Sequence, residues 1–135
     1  MSKVRFQLGT KNYLQVSLPS KMYGDGDWFV GKAKLRVASL SCSHPIKIHS
    51  EQLDSFFSDV AKAYENLKGE FSLISSSGGF TLRGEMTRKG QVRVCVKVGY
   101  GIWNDTQDRI EWQAEAVFNF EPEELKGVLE NQRAT

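Results

Sequence analysis

Apolar and polar residues alternate in three segments near the start of the chain, at 4–8, 13–18 and 28–40. A period of two places successive side chains on opposite faces, so each segment is typical of a β-strand with one buried face. Gly9 lies between the first two segments and predicts a tight turn, which would join them as a hairpin. Gly31 interrupts the third segment and indicates a bulge or bend.

The period changes to that of a helix in the next part of the chain. Residues 41–49 are predicted to be extended, because Pro45 biases the residue before it away from helical angles. In 50–68, apolar residues recur at the i, i+3, i+4, i+7 spacing of an amphipathic helix. Ser50 is the predicted N-cap, and Gly69 stands where a C′ glycine would end the helix. The apolar stripe consists of Leu53, Phe56, Phe57, Val60, Ala63, Tyr64 and Leu67.

Four more strand-like segments follow, and a second helical pattern closes the chain. Segregated strands and helices in this order predict an α+β fold. We expect a single antiparallel β-meander sheet of about six to seven strands, with the long helix and the C-terminal helix packed on one face. Residues 1–135 are expected to form a single domain. The later strands are predicted at 70–75, 79–87, 91–98 and 109–120, and the last helix at 121–132 with Pro122 as its N1 residue.

The composition is that of a soluble globular protein, with 40% hydrophobic and 25% charged residues in a chain of 135. No run of residues approaches the roughly 18 apolar residues of a membrane span. The chain starts without the apolar stretch of a signal peptide, so the cytoplasm is the expected location. The formal net charge of +2 is too small to indicate a protein dedicated to nucleic acid.

No constellation of catalytic or metal-binding residues is evident. Cys42 and Cys95 are expected to be free thiols, because two cysteines do not make a disulfide framework. Cys42, His44 and His49 lack the paired close spacing of zinc ligands. Cys95 is expected in mid-strand on an open face, a poor setting for a reactive thiolate. We therefore expect no catalytic residues, no metal and no cofactor, and the sequence disfavours an enzyme.

The outward positions of the predicted sheet carry charges of both signs. Interleaved charges of this kind mainly fix strand register and keep one face wet. If the strand at 28–40 lies beside the later strands, however, its cations would make the shared face positive. That arrangement leaves an anionic ligand open as an alternative, with a site formed by Lys32, Lys34, Arg36, Arg93 and Lys97.

Large apolar side chains are concentrated in two predicted loops and at their edges. Exposed rigid aromatic residues are common anchors of protein interfaces. The same side chains could instead fold back to cover the ends of the sheet, and the sequence does not decide between the two arrangements. The candidate partner-binding residues are Tyr100, Ile102, Trp103, Tyr23 and Trp28.

Four segments in order carry a family resemblance: "DWFVGKAKLRV", "LDSFFSDVAKAYENLKGE", "FTLRGEMTRKGQVRVCVKV" and "WQAEAVFNFEPEELKGVLENQ". Over about residues 27–131 the chain resembles bacterial immunity proteins of the WapI type and a related uncharacterised bacterial family. The resemblance implies a small cytoplasmic bacterial protein whose partner is another protein, a cognate toxin that it neutralises by occlusion.

The slightly positive net charge does not suit an inhibitor of a cationic nuclease, which gains from an acidic surface. Three explanations remain open: a toxin of another kind, contact through a local acidic patch at Glu121, Glu123 and Glu124, or a different role. The alternative function is a small-ligand or RNA-binding domain that uses the five cations named above. An exposed edge strand could also pair two copies as a homodimer.

Overall fold

The computed structural model describes residues 4–21, 27–76, 78–100 and 112–131. Within these residues the chain forms eight strands and two helices. The strands are β1 (Val4–Gly9), β2 (Tyr13–Lys21), β3 (Trp28–Val37), β4 (Leu40–His49), β5 (Glu70–Ile74), β6 (Phe80–Met86), β7 (Val92–Tyr100) and β8 (Trp112–Phe120), and the helices are α1 (Ser50–Asn66) and α2 (Glu123–Asn131).

The described strands form two four-stranded antiparallel sheets. Sheet A has the order β1-β2-β3-β4 and sheet B the order β5-β6-β7-β8. The α+β class is confirmed, but the prediction of a single sheet of six to seven strands is wrong. Strand β4 completes a meander of its own, and α1 then carries the chain to the start of a second meander. Alternation shows which residues of a strand are buried, but it does not show which strands share a sheet.

Strand β4 was predicted only as an extended segment, and not as a strand of the sheet. It pairs with β3 along its whole length, from Val37 opposite Leu40 to Trp28 opposite His49. The reversal between the strands is a tight turn in which Ala38 has a φ of 54°. Alanine is an unusual residue for this left-handed conformation, which glycine and asparagine favour. The turn therefore had no clear sequence signal.

The predicted irregularity at Gly31 is confirmed. The register of β2 and β3 shifts between Ser17 and Ser20, opposite this glycine. A Cβ atom at Gly31 would collide with the carbonyl oxygen of Ser17. A bulge of this kind bends a strand and increases its local twist.

The α1 helix begins and ends one or two residues away from its predicted caps. The N-cap is His49, whose Nδ1 accepts a hydrogen bond of 3.1 Å from the backbone N–H of Glu51. The C-cap is Leu67, with a left-handed φ of 53°. Histidine and leucine are not preferred at these positions, so the usual capping rules selected Ser50 and Gly69 instead.

Both sheets and both helices contribute to one continuous hydrophobic core. The ring of Phe56 on α1 stacks on Phe6 of sheet A, with centroids 5.4 Å apart, and meets Phe71 of sheet B edge to face at 5.9 Å. On α2, Leu125 and Val128 are fully buried. Burial of each such side chain contributes about 1.5–3 kcal/mol. Helix α1 thus holds the two sheets together through its apolar face.

The edge of β4 is also tied directly to sheet B. The backbone N–H of Lys47 donates to the Oγ of the buried Ser75 at 3.1 Å, and its carbonyl oxygen accepts from the N–H of Ser76 at 2.9 Å. Close by, a Cβ atom at Gly79 would collide with the His44 ring. These contacts occupy part of an edge that would otherwise offer free backbone groups.

Candidate partner-binding surfaces

Trp28 is the one predicted partner-binding residue whose side chain the structure describes, and it is half-buried at the start of β3. The Nζ atom of Lys47 lies over its ring, 4.6 Å from the centroid. The ring of His49 stands perpendicular to it, at a centroid distance of 4.8 Å. Because the Nδ1 of His49 also caps α1, the orientation of Trp28 is coupled to the helix N-terminus.

The outward side of sheet A carries cations without a carboxylate. No aspartate or glutamate occurs within its four strands. Lys32 lies opposite Ser17 and Pro45, Lys34 opposite Gln15 and Ser43, and Arg36 opposite Tyr13 and Ser41. We call this surface the basic face and define it by Arg5, Lys32, Lys34, Arg36 and Lys47.

The outward side of sheet B differs, because two of its cations lie opposite carboxylates. Arg93 lies opposite Glu85, and Lys97 lies opposite Glu115. Each cross-strand pair of opposite charges adds about 0.2–1 kcal/mol to stability. The interleaved charges predicted from the sequence are therefore present on this sheet.

The five cations proposed for an anionic ligand do not share a face. Lys32, Lys34 and Arg36 lie on sheet A, whereas Arg93 and Lys97 lie on sheet B. The grouping assumed that the strand at 28–40 lies beside the later strands, and the division into two sheets removes that assumption. Arg5 and Lys47 belong with the sheet A group, and sequence reasoning missed both. The alternation of Lys47 with Ile46 and Ile48 was the available signal for the second of them.

An open groove of about 440 Å³ lies beside β5 on the outer side of sheet B. Its lining includes Asp59, Glu70, Arg83 and Cys95. Burial raises the pKa of the Cys95 thiol, and a hydrogen bond of 3.5 Å that the thiol donates to Glu115 Oε1 raises it further. A thiol held in its protonated form is a weak nucleophile.

The cysteine and histidine residues considered as zinc ligands do not converge. Cys42 and His44 lie on the inner side of β4, paired with Leu35 and Ala33, whereas His49 lies on the outer side beside Trp28. Burial also raises the pKa of the Cys42 thiol. Within the described parts of the chain no group of three His, Cys, Asp or Glu residues could hold a metal ion.

The remaining predicted interface residues cannot be placed. Tyr23, Ile102 and Trp103 lie outside the described residues. Tyr100 is described only through its backbone, which ends β7 opposite Trp112. Their part in binding stays a prediction.

A sequence model of the immunity protein WapI-like family matches residues 4–133, a range that contains both sheets and both helices. The chain belongs to the WapI-like immunity protein family. The resemblance seen in the four sequence segments is thereby confirmed, and it extends to the N-terminal hairpin, which those segments left out. Comparison with curated proteins and with solved structures gives no match.

WapI-like proteins are described as immunity proteins. The outer faces of the two sheets are therefore considered as surfaces that a partner could contact. In this WapI-like chain the basic face and Trp28, with its neighbours Lys47 and His49, belong to sheet A. The opposed charges of Arg93 and Lys97 with glutamates belong to sheet B. Among the described residues, no helix is both long and apolar enough to span a bilayer.

Proposed function

We propose that the chain is an immunity protein that binds a cognate bacterial toxin in the cytoplasm and blocks it by occlusion. The observation that carries the proposal is the family match, which covers residues 4–133 and hence every strand and helix of the fold. A blocking protein needs a complementary surface, a few anchor residues and slow dissociation, rather than reacting groups.

Trp28 is the anchor that the structure supports best. Its ring is large and rigid, it lies at the end of β3, and Lys47 and His49 hold its orientation. Preorganised aromatic side chains lose little conformational entropy on binding, which favours their use as anchors. We propose Tyr23, Tyr100, Ile102 and Trp103 as further contacts on the basis of their residue types.

Growth rescue tests the proposed function directly. A candidate toxin domain, taken from a gene adjacent to the one that encodes this chain, is expressed in a bacterial host from an inducible promoter, with or without the chain. We expect the wild-type chain to restore growth. The control is Val96→Asp, which places a charge in the core and abolishes folding. Growth arrest that the wild-type chain does not relieve contradicts the proposed function.

A titration separates occlusion from chemical inactivation of the toxin. Residual toxin activity is measured against increasing chain, and the mass of the toxin is recorded after denaturing separation. Occlusion predicts complete inhibition at a fixed stoichiometric ratio, an unchanged toxin mass and recovery of activity once the chain is removed. Inhibition by substoichiometric chain would instead indicate an enzyme.

A second candidate is a small-ligand or RNA-binding domain. The observation that favours it is the basic face, because phosphate groups are attracted to cations without neighbouring carboxylates. Its signature is affinity for an anionic ligand that weakens steeply as salt is added.

A further inference from the structure

Charge is divided unequally between the two parts of the fold. Residues 1–49, which contain sheet A, have eight lysines and arginines and two aspartates, so their formal charge is +6. Residues 50–135 have ten lysines and arginines against fourteen acidic residues, so their formal charge is −4. The small net charge of +2 is therefore the sum of a positive N-terminal part and a negative C-terminal part.

The three cations of β3 repel one another, and no carboxylate lies opposite them in the described strands of sheet A. Lys32, Lys34 and Arg36 follow each other at every second position of β3, which places them roughly 6.6–6.8 Å apart along the strand. At that distance, like charges repel by about 0.6 kcal/mol per pair in water. Their cross-strand neighbours are uncharged. On sheet B, by contrast, Arg93 and Lys97 each lie opposite a glutamate.

We propose that the basic face is a docking surface for an acidic surface of the partner protein. The inference rests on the proposed function and names the chemistry of the partner. Carboxylates placed over Lys32, Lys34 and Arg36 would supply the charges that the fold itself omits there. Trp28 and the exposed Val30, at the same end of β3, would add apolar contact area beside them. Complementary charge steers association and suppresses wrong partners.

The geometry favours an acidic protein over a nucleic acid. Single-stranded nucleic acids bind through aromatic platforms on which bases stack. Trp28 offers a reduced platform, because Lys47 lies over its ring and His49 stands against it. The cross-strand neighbours of Lys32 and Lys34 are Gln15, Ser17, Ser43 and Pro45, none of which can stack on a base. Tyr13, opposite Arg36, is the one aromatic cross-strand neighbour of the three cations.

Two charge-matched triple variants test the surface. The first is Lys32→Gln, Lys34→Gln and Arg36→Gln on sheet A, and the control is Arg83→Gln, Arg93→Gln and Lys97→Gln on sheet B. Each lowers the formal net charge from +2 to −1, so bulk charge cannot explain a difference between them. Circular dichroism checks both folds. A threonine version of the first variant replaces it if native structure is lost, because threonine suits exposed strands.

Association with the purified toxin domain is followed by stopped flow at about 50 and about 200 mM salt. We expect the sheet A variant to associate about tenfold more slowly than wild type at the lower salt and to lose most of the salt dependence. The sheet B variant should stay within about twofold of wild type. Equal effects of the two variants, or a larger effect on sheet B, overturn the proposal while leaving the immunity role intact.

If the toxin domain does not bind the wild-type chain, the proposed function is contradicted. Two defined probes then test the docking surface by itself. They are a fluorescent glutamate-rich peptide and a single-stranded RNA of equal charge. Peptide binding that is lost only in the sheet A variant supports the docking surface. Tighter binding of the RNA, or binding of neither probe, overturns it.

Discussion

The ammonium nitrogen of Lys47 lies 4.6 Å from the centroid of the Trp28 ring. The backbone N–H of Lys47 donates to the Oγ of Ser75, and its carbonyl oxygen accepts from the N–H of Ser76, so both bonds fix the strand that presents this ammonium group. A residue of the basic face is therefore attached to sheet B through its main chain and to Trp28 through its side chain.

A double-mutant cycle on Trp28 and Lys47 measures this contact. Trp28→Leu and Lys47→Met leave apolar side chains in place but remove the ring and the charge. Urea unfolding of wild type, the two single variants and the double variant gives the coupling energy. We expect a value of about 0.5–1 kcal/mol. A coupling indistinguishable from zero would mean that the ammonium group does not interact with the ring in solution.

Gly78 and Gly79 provide a matched test of the junction between the sheets. Both have left-handed φ, of 80° and 81°, but a Cβ atom at Gly78 meets open space, whereas one at Gly79 meets His44 and the carbonyl oxygen of Gly99. Alanine at either position is destabilised by the left-handed backbone, and at Gly79 its Cβ atom also displaces neighbouring atoms. We predict that Gly79→Ala destabilises the fold by about 1–3 kcal/mol more than Gly78→Ala in urea unfolding. Equal losses would contradict the packing of β4 against this turn.

The left-handed C-cap of α1 predicts a stabilising substitution. Leu67 is 58% exposed and has a φ of 53°. Its left-handed backbone is therefore unfavourable, and the burial of its side chain offsets little of that cost. Leu67→Gly should raise the free energy of unfolding by about 1 kcal/mol. Lys68→Gly is the control, because Lys68 is exposed and is not among the non-glycine residues with positive φ. That change should be destabilising by about 0.5–1 kcal/mol. The assignment of the cap fails if both glycines have the same effect.

The contact between Cys95 and Glu115 predicts a change in thiol reactivity. Burial, followed by the hydrogen bond and the negative charge of Glu115, raises the Cys95 pKa, so its thiolate fraction at a given pH is smaller than that of a free thiol. Glu115→Gln should lower that pKa and speed iodoacetamide labelling of Cys95, while the rate at Cys42 stays unchanged as an internal control. Glu121→Gln, at a distant exposed position, should alter neither rate. An unchanged Cys95 rate in Glu115→Gln argues against the contact.

The same pKa shifts fix the direction of the pH dependence of stability. Both thiols have a raised pKa in the folded state. Their contribution is fully present below the pKa of an unfolded thiol, about 8.5, and is lost as the pH rises through the higher folded values. The free energy of unfolding of wild type, minus that of Cys42→Ser/Cys95→Ser, should therefore fall as the pH increases from about 8 to about 10 in urea unfolding. A rise in this difference over the same interval would mean that the pKa values are lowered on folding.

The local structure of this chain follows closely from its sequence. The helical spacing of Leu53, Phe56, Phe57 and Val60 predicted α1, and all four are buried. Alternation predicted the inward valines of β7 and the outward cations of β3. In each case burial repeats with the period of the helix or strand. The local sequence is therefore sufficient to predict the type of element and the face that it buries.

The arrangement of the strands did not follow in the same way. Whether β4 and β7 belong to one sheet or two depends on contacts between distant segments, such as His44 against Gly79. The turn before β4 and the caps of α1 use Ala38, His49 and Leu67 in conformations that other residues prefer. The basic face could be recognised only after Lys47 had been placed beside β3. Arg5 and Lys47 are distant in sequence from the three cations of β3, and the register of the sheet brings them to the same face.

Lysine acetylation of the complex with the toxin domain, read residue by residue by mass spectrometry, tests the central claim most directly. We expect Lys32, Lys34 and Lys47 to lose reactivity on binding, while the exposed Lys62, Lys89 and Lys126, on α1, the β6–β7 turn and α2, keep theirs. Protection of the second group with the first left reactive would place the partner on another surface and rule out docking on the basic face.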